Sequence, residues 1–176
     1  HFQGGMTIRH DGCMVEVGQR SQINIGAELS LGASLIIGSN VNMSGSVRIV
    51  VSDGARVAIG DRCLFAQNIS LRAYDNHPIF DLETRQRINY SRDINICSDV
   101  WVGYGVTVTG GGRIGHGSVI GTNSIVTGSK PIGEHVLAVG VPARVVREKI
   151  AWARPGMPAA DVMDDEAHVD CLERLR

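Results

Sequence analysis

One histidine of the chain lies in a segment whose residue types suit proton transfer. His77 belongs to the run Asp75-Asn76-His77-Pro78-Ile79-Phe80-Asp81, which places a carboxylate on each side of the imidazole. A neutral imidazole accepts a proton from a neighbouring hydroxyl group at about neutral pH, and a carboxylate can orient the ring. His77 is therefore a candidate general base and Asp75 a candidate orienting residue, although a lone histidine is more often a surface or structural imidazole. Each aspartate could equally cap a turn of a loop.

Other side chains of this segment are candidates for contact with a substrate. Tyr74, Asp81 and Arg85 carry hydrogen-bonding groups, although exposed loop residues are often simply solvated. The cysteines are widely separated, at Cys13, Cys63, Cys97 and Cys171. Because they form no CxxC pair and have no histidine at zinc-site spacing, we expect reduced thiols and no metal site.

Apolar residues recur every six positions on both sides of this segment. The positions are Ile25, Leu31, Ile37, Met43 and Ile49, then Ile59, Phe65 and Leu71, and finally Ile96, Val102, Val108, Ile114, Ile120, Val126 and Ile132. A helix would need an apolar stripe every 3.6 residues or so, whereas this period predicts short strands joined by tight corners. Three hexapeptides would form one triangular coil, and stacked coils would enclose one apolar column. The phase slips near Gly54, where we expect a corner insertion.

The period fails between Leu71 and Ile94, and a solenoid expels such an interruption as a loop. We therefore predict a projecting loop over residues 72–93 that carries His77. Trp101 lies between Val100 and Val102, which are both assigned to the core, so its side chain should point outward. An outward tryptophan could line a binding groove or seal a contact between subunits.

The repeat and the His77 segment resemble the hexapeptide-repeat acyltransferase family over residues 17–152, and in particular its sugar and polysaccharide O-acetyltransferases. In that subgroup an Asp-x-His-Pro/Ser-Ile-x-Asp stretch supplies the base. The resemblance implies an all-β, left-handed parallel β-helix, a homotrimer and acetyl-CoA as acyl donor. It implies direct acetyl transfer to a hydroxyl group of a sugar or glycan acceptor. Two alternatives remain: N-acetylation of an amino sugar, and a non-catalytic β-helix scaffold.

The same resemblance implies residues that contact coenzyme A. Trp101 would border the active site, and backbone amides at Gly103 or Tyr104 and at Gly121 or Thr122 would bind the pantetheine arm. The nucleotide end would meet side chains of the closing signature, where cations suit phosphates. These side chains are Thr127, Lys130, Arg144 and Arg147.

Length and composition limit the remaining classes. The 176 residues carry a formal net charge of -1, which is unlike the basic surface of a nucleic-acid-binding protein. No apolar run reaches the roughly 18 residues of a membrane span, and we expect a cytoplasmic protein. We expect residues 1–5 to be an expression-tag remnant outside the fold, residues 6–150 to form the β-helix, and residues 151–176 to form a helical extension.

Overall fold

The computed structural model describes residues 1–154, which form seventeen short strands and no helix. The strands are β1 (Phe2–Ile8), β2 (Met14–Val17), β3 (Ile23–Leu29), β4 (Ser34–Ile37), β5 (Asn42–Met43), β6 (Val47–Val51), β7 (Arg56–Ile59), β8 (Leu64–Phe65), β9 (Ile69–Arg72), β10 (Ile94–Ile96), β11 (Trp101–Val102), β12 (Thr107–Thr109), β13 (Arg113–Ile114), β14 (Val119–Ile120), β15 (Ile125–Val126), β16 (Leu137–Gly140) and β17 (Ala143–Arg147). The helix expected within 151–176 falls mostly on residues 155–176, outside the described part.

The strands stack into three sheets that form the faces of a triangular prism. Face 1 has the order β1-β3-β6-β9-β12-β15, face 2 the order β13-β10-β7-β4-β2, and face 3 the order β17-β16-β14-β11-β8-β5. Every pairing is parallel except that of β16 with β17, which form an antiparallel hairpin at the carboxyl end. The predicted all-β solenoid of stacked coils is confirmed. We call the edge from face 1 to face 2 the first corner, from face 2 to face 3 the second corner, and from face 3 to face 1 the third corner.

The core is one apolar column inside the prism, as the six-residue period predicts. All seven positions of the last series, Ile96 to Ile132, are buried, and so are Val100 and Cys63. Cys63 donates its thiol hydrogen to the carbonyl of Cys97 one coil further on, 3.1 Å away. Residues with inward side chains alternate with outward ones along each strand, because neighbouring side chains of a strand point to opposite sides.

The coils change length along the prism. Ile25 lies opposite Val47, and Val47 opposite Ile69, so the two coils from β3 to β9 contain 22 residues each. After the loop, Val108 lies opposite Val126, which gives the 18 residues of three hexapeptides. The extra residues of the longer coils belong to faces 1 and 2. Strand β6 has five residues where β12 has three, and β7 has four where β13 has two.

One predicted core position is wrong. Leu31 is about half exposed and adopts a φ of 50°, so it lies in the first corner instead of the core. Leu29 and Ala33 point inward in its place. The corner insertion expected near Gly54 is present, where Asp53 and Gly54 both have positive φ, and Leu31 with Gly32 forms the same insertion one coil earlier.

The amino end also differs from the expectation that residues 1–5 lie outside the fold. Phe2 to Gly5 form the first half of β1, and their main chains pair with Ile23 to Gly26 of β3. Backbone pairing of this kind depends little on side chains, so a sequence argument based on apolar period does not detect it. Met6 follows in the same strand and packs against the core.

Candidate functional site

The segment between β9 and β10 leaves the first corner and folds back as a small hairpin. The N–H of Ile88 donates to the carbonyl of Ile79 at 2.9 Å, and the N–H of Asp81 donates to the carbonyl of Gln86 at 2.9 Å. Phe80 and Arg87 form an antiparallel bridge between the two arms. The projecting loop therefore occurs where the sequence predicts it, and internal hydrogen bonds give it a defined shape.

Asp81 caps the tip of this hairpin. Its Oδ1 accepts hydrogen bonds from the Thr84 N–H at 2.7 Å, the Thr84 hydroxyl at 3.0 Å and the Glu83 N–H at 3.0 Å. The backbone hydrogen bond from Thr84, followed by that of its hydroxyl, lowers the pKa of Asp81. This geometry favours the turn-capping alternative over contact with a substrate. Arg85 lies on the same turn, exposed, with a φ of 57°.

Asn89 joins the two arms at the base of the hairpin. Its Oδ1 accepts from the Ile79 N–H at 2.6 Å, and its Nδ2 donates to the His77 carbonyl at 2.8 Å and to Asp75 Oδ2 at 3.3 Å. A side-chain amide has both donors and an acceptor, so a single residue can hold an extended segment on both of its edges. Sequence reasoning missed Asn89, because its partners are ten to fourteen residues away in an aperiodic segment.

The His77 side chain projects from the arm that Asn89 holds. The His77 N–H donates to the Asp75 carbonyl at 2.7 Å, a tight bend that places Asn76 at a φ of 63°. The imidazole is exposed, and within residues 1–154 it has no hydrogen-bonding partner for either ring nitrogen. The Asp75 carboxylate bonds to Asn89 and not to the His77 ring. Tyr74 braces the same bend by donating its hydroxyl hydrogen to the Asn76 carbonyl at 3.1 Å.

The returning arm is fixed to the corner insertion of the preceding coil. Asp53 Oδ2 lies 3.5 Å from Arg87 Nη1 and accepts a hydrogen bond from the Ser91 hydroxyl at 3.2 Å. Arg87 Nη2 also donates to the Asn89 carbonyl at 3.2 Å, and the guanidinium carbon lies 5.2 Å from the centre of the Tyr90 ring. The positive-φ corner at Asp53 thus serves as the anchor of the loop.

Two neighbouring cavities open at the first corner beside this loop. One, of about 380 Å³, is lined by Ala73, Asp75, Ile88, Asn89, Tyr90, Arg92, Thr109 and Gly110. The other, of about 470 Å³, is lined by Arg92, Asp93, Gly111, Arg113, Gly128 and Pro131. Arg92 borders both cavities, and its side chain passes over Gly111 and Gly128. A Cβ added to either glycine would lie about 3.1–3.2 Å from the Arg92 guanidinium group. Arg92 was not predicted as a site residue.

Trp101 lies elsewhere on the same chain. It begins β11 just after the second corner, and its side chain points outward with 41% of its surface exposed, as the alternation with buried Val100 and Val102 predicts. Its ring packs against Trp152, with centroids 6.0 Å apart. His77 is carried by the first corner, so the two predicted site residues occupy different edges of one prism.

The predicted amides for the pantetheine arm lie at the third corner. The Gly103 N–H donates to the Ile120 carbonyl at 2.8 Å and the Gly121 N–H to the Ala138 carbonyl at 2.9 Å, so both are used between coils. Tyr104 and Thr122 follow them at the exposed corner. Among the described residues no backbone acceptor takes the N–H of Tyr104 or Thr122. In each predicted pair, therefore, the N–H of the glycine is used between coils and that of the following residue is not.

The residues predicted for the nucleotide end lie on separate elements. Thr127 and Ser129 share a hydroxyl hydrogen bond of 2.7 Å just after β15, beside exposed Lys130. Arg144 and Arg147 are exposed on β17, in the hairpin that closes face 3. Within residues 1–154 no group of three or more His, Cys, Asp or Glu side chains is arranged to hold a metal ion. Nor does this part contain a helix long and apolar enough to cross a membrane.

The relatives found by comparison with known proteins include polysialic acid and galactoside O-acetyltransferases. The chain is 40% identical over 150 residues to a polysialic acid O-acetyltransferase of Escherichia coli O1:K1, covering 85% of this chain and 41% of the relative. It is 32% identical over 150 residues to the putative lipopolysaccharide biosynthesis O-acetyl transferase WbbJ of Escherichia coli K12, covering 80% of this chain and 74% of WbbJ. The chain spans about half the length of the first curated relatives it matches. No protein-family model matches it.

Solved structures agree with these relatives. The polysialic-acid-specific acetyltransferase NeuO has a TM-score of 0.60 at 28% identity, with 97% of each chain covered. A galactoside acetyltransferase in complex with coenzyme A has a TM-score of 0.59 at 31% identity, with 77% of this chain and 66% of that chain covered. The predicted left-handed direction of the β-helix is confirmed by this likeness. From the coil architecture and the 32% identity across three quarters of WbbJ, we conclude that the chain belongs to the hexapeptide-repeat acetyltransferase family.

Proposed function

We propose that this chain is an acetyl-CoA-dependent O-acetyltransferase whose acceptor is a hydroxyl group of a sugar or glycan. The observation that carries the proposal is the exposed His77 imidazole, held on a braced hairpin beside a cavity at the first corner. The relatives named polysialic acid and galactoside O-acetyltransferases support the reaction type and the acceptor class. The coenzyme A complex of the galactoside acetyltransferase supports acetyl-CoA as the donor.

The mechanism needs one proton acceptor and no covalent enzyme intermediate. A ring nitrogen of His77 takes the proton of the acceptor hydroxyl as the hydroxyl oxygen attacks the carbonyl carbon of the thioester. The tetrahedral intermediate then collapses, the carbon–sulfur bond breaks, and the coenzyme A thiolate leaves. His77 returns the proton to the thiolate, so acetyl ester and free thiol are the products. Asp75 acts on this ring only through the bend that Asn89 holds.

The acceptor fits best in the 380 Å³ cavity beside the hairpin. Its lining combines the Asp75 carboxylate, the Asn89 amide and the Arg92 guanidinium with the exposed ring of Tyr90. Sugars are bound by such combinations, because hydroxyl groups need donors and acceptors while the faces of the ring are apolar. Tyr74 and Arg85 remain proposed acceptor contacts at the edge of the hairpin. Asp81 contributes indirectly by fixing the turn that carries Arg85.

The donor would lie along an outer groove of the β-helix. Trp101 offers an exposed aromatic wall for the acyl end, and the corner amides at Tyr104 and Thr122 suit the pantetheine carbonyls. Gly103 and Gly121 have no side chain, so they would leave room for the pantetheine arm at the same corners. We propose that the phosphates of coenzyme A contact one hydroxyl group and three cationic side chains near the carboxyl end of the β-helix. These residues are Thr127, Lys130, Arg144 and Arg147. Acetyl-CoA as donor also suits a cytoplasmic enzyme.

A complete site would require more than one copy of the chain. His77 and Trp101 occupy different corners of the prism, whereas the mechanism needs base, thioester and acceptor together. We therefore propose a homotrimer in which the first corner of one subunit faces the Trp101 groove of its neighbour. Sedimentation should give a trimer, and a monomer at working concentration would contradict this assembly. Mixed trimers of His77→Ala and Trp101→Ala chains should regain part of the activity that each variant alone lacks.

The proposed reaction is tested by an acceptor screen. The protein is incubated with acetyl-CoA and a set of hydroxyl and amino acceptors, among them sialic acid polymers, galactosides and amino sugars. Free thiol release measures turnover, and mass spectrometry locates the acetyl group. We expect an O-acetyl ester on a sugar hydroxyl. Transfer only to an amine would replace the proposal with N-acetylation, and binding of sugar without thiol release would favour a scaffold.

A further inference from the structure

The two tryptophans of the chain contact each other although they are 51 positions apart. Trp101 begins β11, and Trp152 belongs to the segment that follows the last hairpin. Their ring centroids lie 6.0 Å apart with the planes tilted by 45°, a geometry within the favourable range for aromatic pairs. Trp152 is half-buried, whereas Trp101 keeps its outer side open. Trp152 therefore covers one flank of the ring that we propose as the donor wall.

The segment around Trp152 is bound along the second corner by a column of carbonyl groups. The corner residues Asn40, Arg62, Asp99 and His135 have φ angles of 52–57°, and each donates its N–H to the corner of the preceding coil. Their carbonyl groups face outward. Ile150 N–H donates to the His135 carbonyl at 2.9 Å, and Arg154 Nη2 to the carbonyls of Asn40 and Arg62 at 3.1 and 3.2 Å. We call residues 150–154 the corner strap.

Between Ile150 and Arg154, the Trp152 side chain binds the same column of carbonyl groups. Its indole Nε1–H donates to the Asp99 carbonyl at 2.6 Å, and Asp99 precedes Trp101 by only two residues. Asp99 is itself held firmly, because Arg62 donates to its carboxylate through Nε at 2.8 Å and Nη2 at 2.5 Å. His116 Nδ1 lies 3.5 Å from the same carboxylate. The strap thus holds the Trp152 ring against Trp101 from a corner that has little freedom to move.

We propose that Trp152 is a positioning residue for the Trp101 ring and thereby sets the affinity for acetyl-CoA, an inference that rests on the proposed function. An exposed tryptophan on a two-residue strand can rotate about two side-chain bonds, and a ring packed on one flank removes most of that freedom. The coenzyme A arm then meets a Trp101 ring that is already in its binding orientation, so less conformational entropy is lost on binding. Trp152 has no role in the chemical step.

The test compares Trp152→Ala with Trp152→Phe in the full chain, since either change leaves Trp101 as the single tryptophan. Loss of the ring contact in Trp152→Ala should raise the KM for acetyl-CoA about threefold to tenfold, the range that one aromatic pair supplies. The kcat and the KM for the acceptor should stay within about twofold. Trp101 emission should move to longer wavelength and become more accessible to acrylamide. Trp152→Phe should restore most of both properties.

Matched variants separate positioning from damage to the fold. Arg154→Met releases one end of the strap but keeps the Trp152 ring, so it should raise the KM for acetyl-CoA less than Trp152→Ala does. Phe2→Ala removes an exposed aromatic ring from the first strand and should change none of these values. If Trp152→Ala loses its far-ultraviolet circular dichroism, Trp152→Phe and Arg154→Met carry the test.

The outcomes separate this inference from the proposed function. One outcome would overturn only the role of Trp152. In that outcome wild type transfers acetyl groups, Trp152→Ala has an unchanged KM for acetyl-CoA, and acrylamide quenches the Ala and Phe variants equally. If coenzyme A fails to alter Trp101 emission in Trp152→Phe, where Trp101 is the single tryptophan, both the donor groove and this inference are overturned. A raised KM that Trp152→Phe corrects would support it.

Discussion

Replacing His77 by asparagine should abolish most of the chemistry and leave the molecule otherwise intact. A positioned general base contributes about 10²–10⁴-fold to turnover, which corresponds to about 2.7–5.4 kcal/mol of activation free energy. Asparagine keeps a polar side chain but cannot accept the proton. We expect kcat to fall within this range while the affinity for coenzyme A stays unchanged.

The structure explains why folding should not suffer. The hydrogen bonds that hold this bend use the main chain of His77, whose N–H bonds to Asp75 and whose carbonyl accepts from Asn89. The ring is exposed and outside the stacked coils. The unfolding free energy should therefore change by less than about 0.5 kcal/mol.

The assay is thiol release with the acceptor identified in the screen, accompanied by coenzyme A binding and a denaturation midpoint. His10→Asn is a matched control, since it makes the same exchange at another exposed histidine outside the loop. Near-native transfer by His77→Asn would remove His77 as the base and refute the mechanism. A large loss of stability in the same variant would instead show that the ring has a structural role.

Three further predictions concern residues whose roles come from the structure. Asn89→Ala removes four side-chain hydrogen bonds at the base of the hairpin, so amide exchange at Ile79 should accelerate and kcat should fall. The unfolding midpoint of the β-helix should change little, and unchanged exchange would contradict the bridging role. Hydrogen bonds lower the folded pKa of Asp81 below its ordinary 3.8, so the cap stabilises the turn above that pH and is lost as the pH falls through the lowered pKa. Amide exchange at Thr84 should therefore show an acid-dependent loss of protection that Asp81→Asn lacks, and identical profiles would refute the cap. Leu31→Asn should raise the unfolding free energy by about 0.5–1 kcal/mol, because asparagine tolerates the left-handed backbone that leucine resists, and a lower midpoint in urea would contradict this.

Much of the fold follows from the sequence because the coils repeat. Once 18 residues complete a coil, every sixth residue faces the core, and the series from Ile96 to Ile132 has no exception. The longer coils break this rule, since extra residues shift which positions point inward. Leu31 fitted the period by residue type and by its following glycine, yet its backbone lies in a corner. A pattern of residue types does not contain φ, so this error could not be avoided from spacing alone.

The site was predictable in outline and not in detail. The loop and His77 follow from the interruption and its motif, and the outward direction of Trp101 follows from strand alternation. The bridging role of Asn89 and the anchor at Asp53 depend on contacts between segments that are far apart and aperiodic. Asp81 is different, because an aspartate three residues before a threonine is a local turn signal that the sequence already contained.

The change in coil length has a consequence for the shape of the proposed acceptor cavity. After the loop, the strands of faces 1 and 2 are each two residues shorter than before it, while the strands of face 3 keep two residues. At roughly 3.3 Å per residue, each of the two faces is therefore shorter by about 7 Å at the first corner. The result is a step in the prism beside the hairpin, where hairpin residues and Gly110 line the 380 Å³ cavity, and the depth of the step is set by strand length. Because two residues make one full alternation of a strand, such a step can deepen or fill by paired insertions that leave every core side chain facing inward. The size of the proposed acceptor cavity can therefore vary in steps of strand length, independently of the side chains that line it.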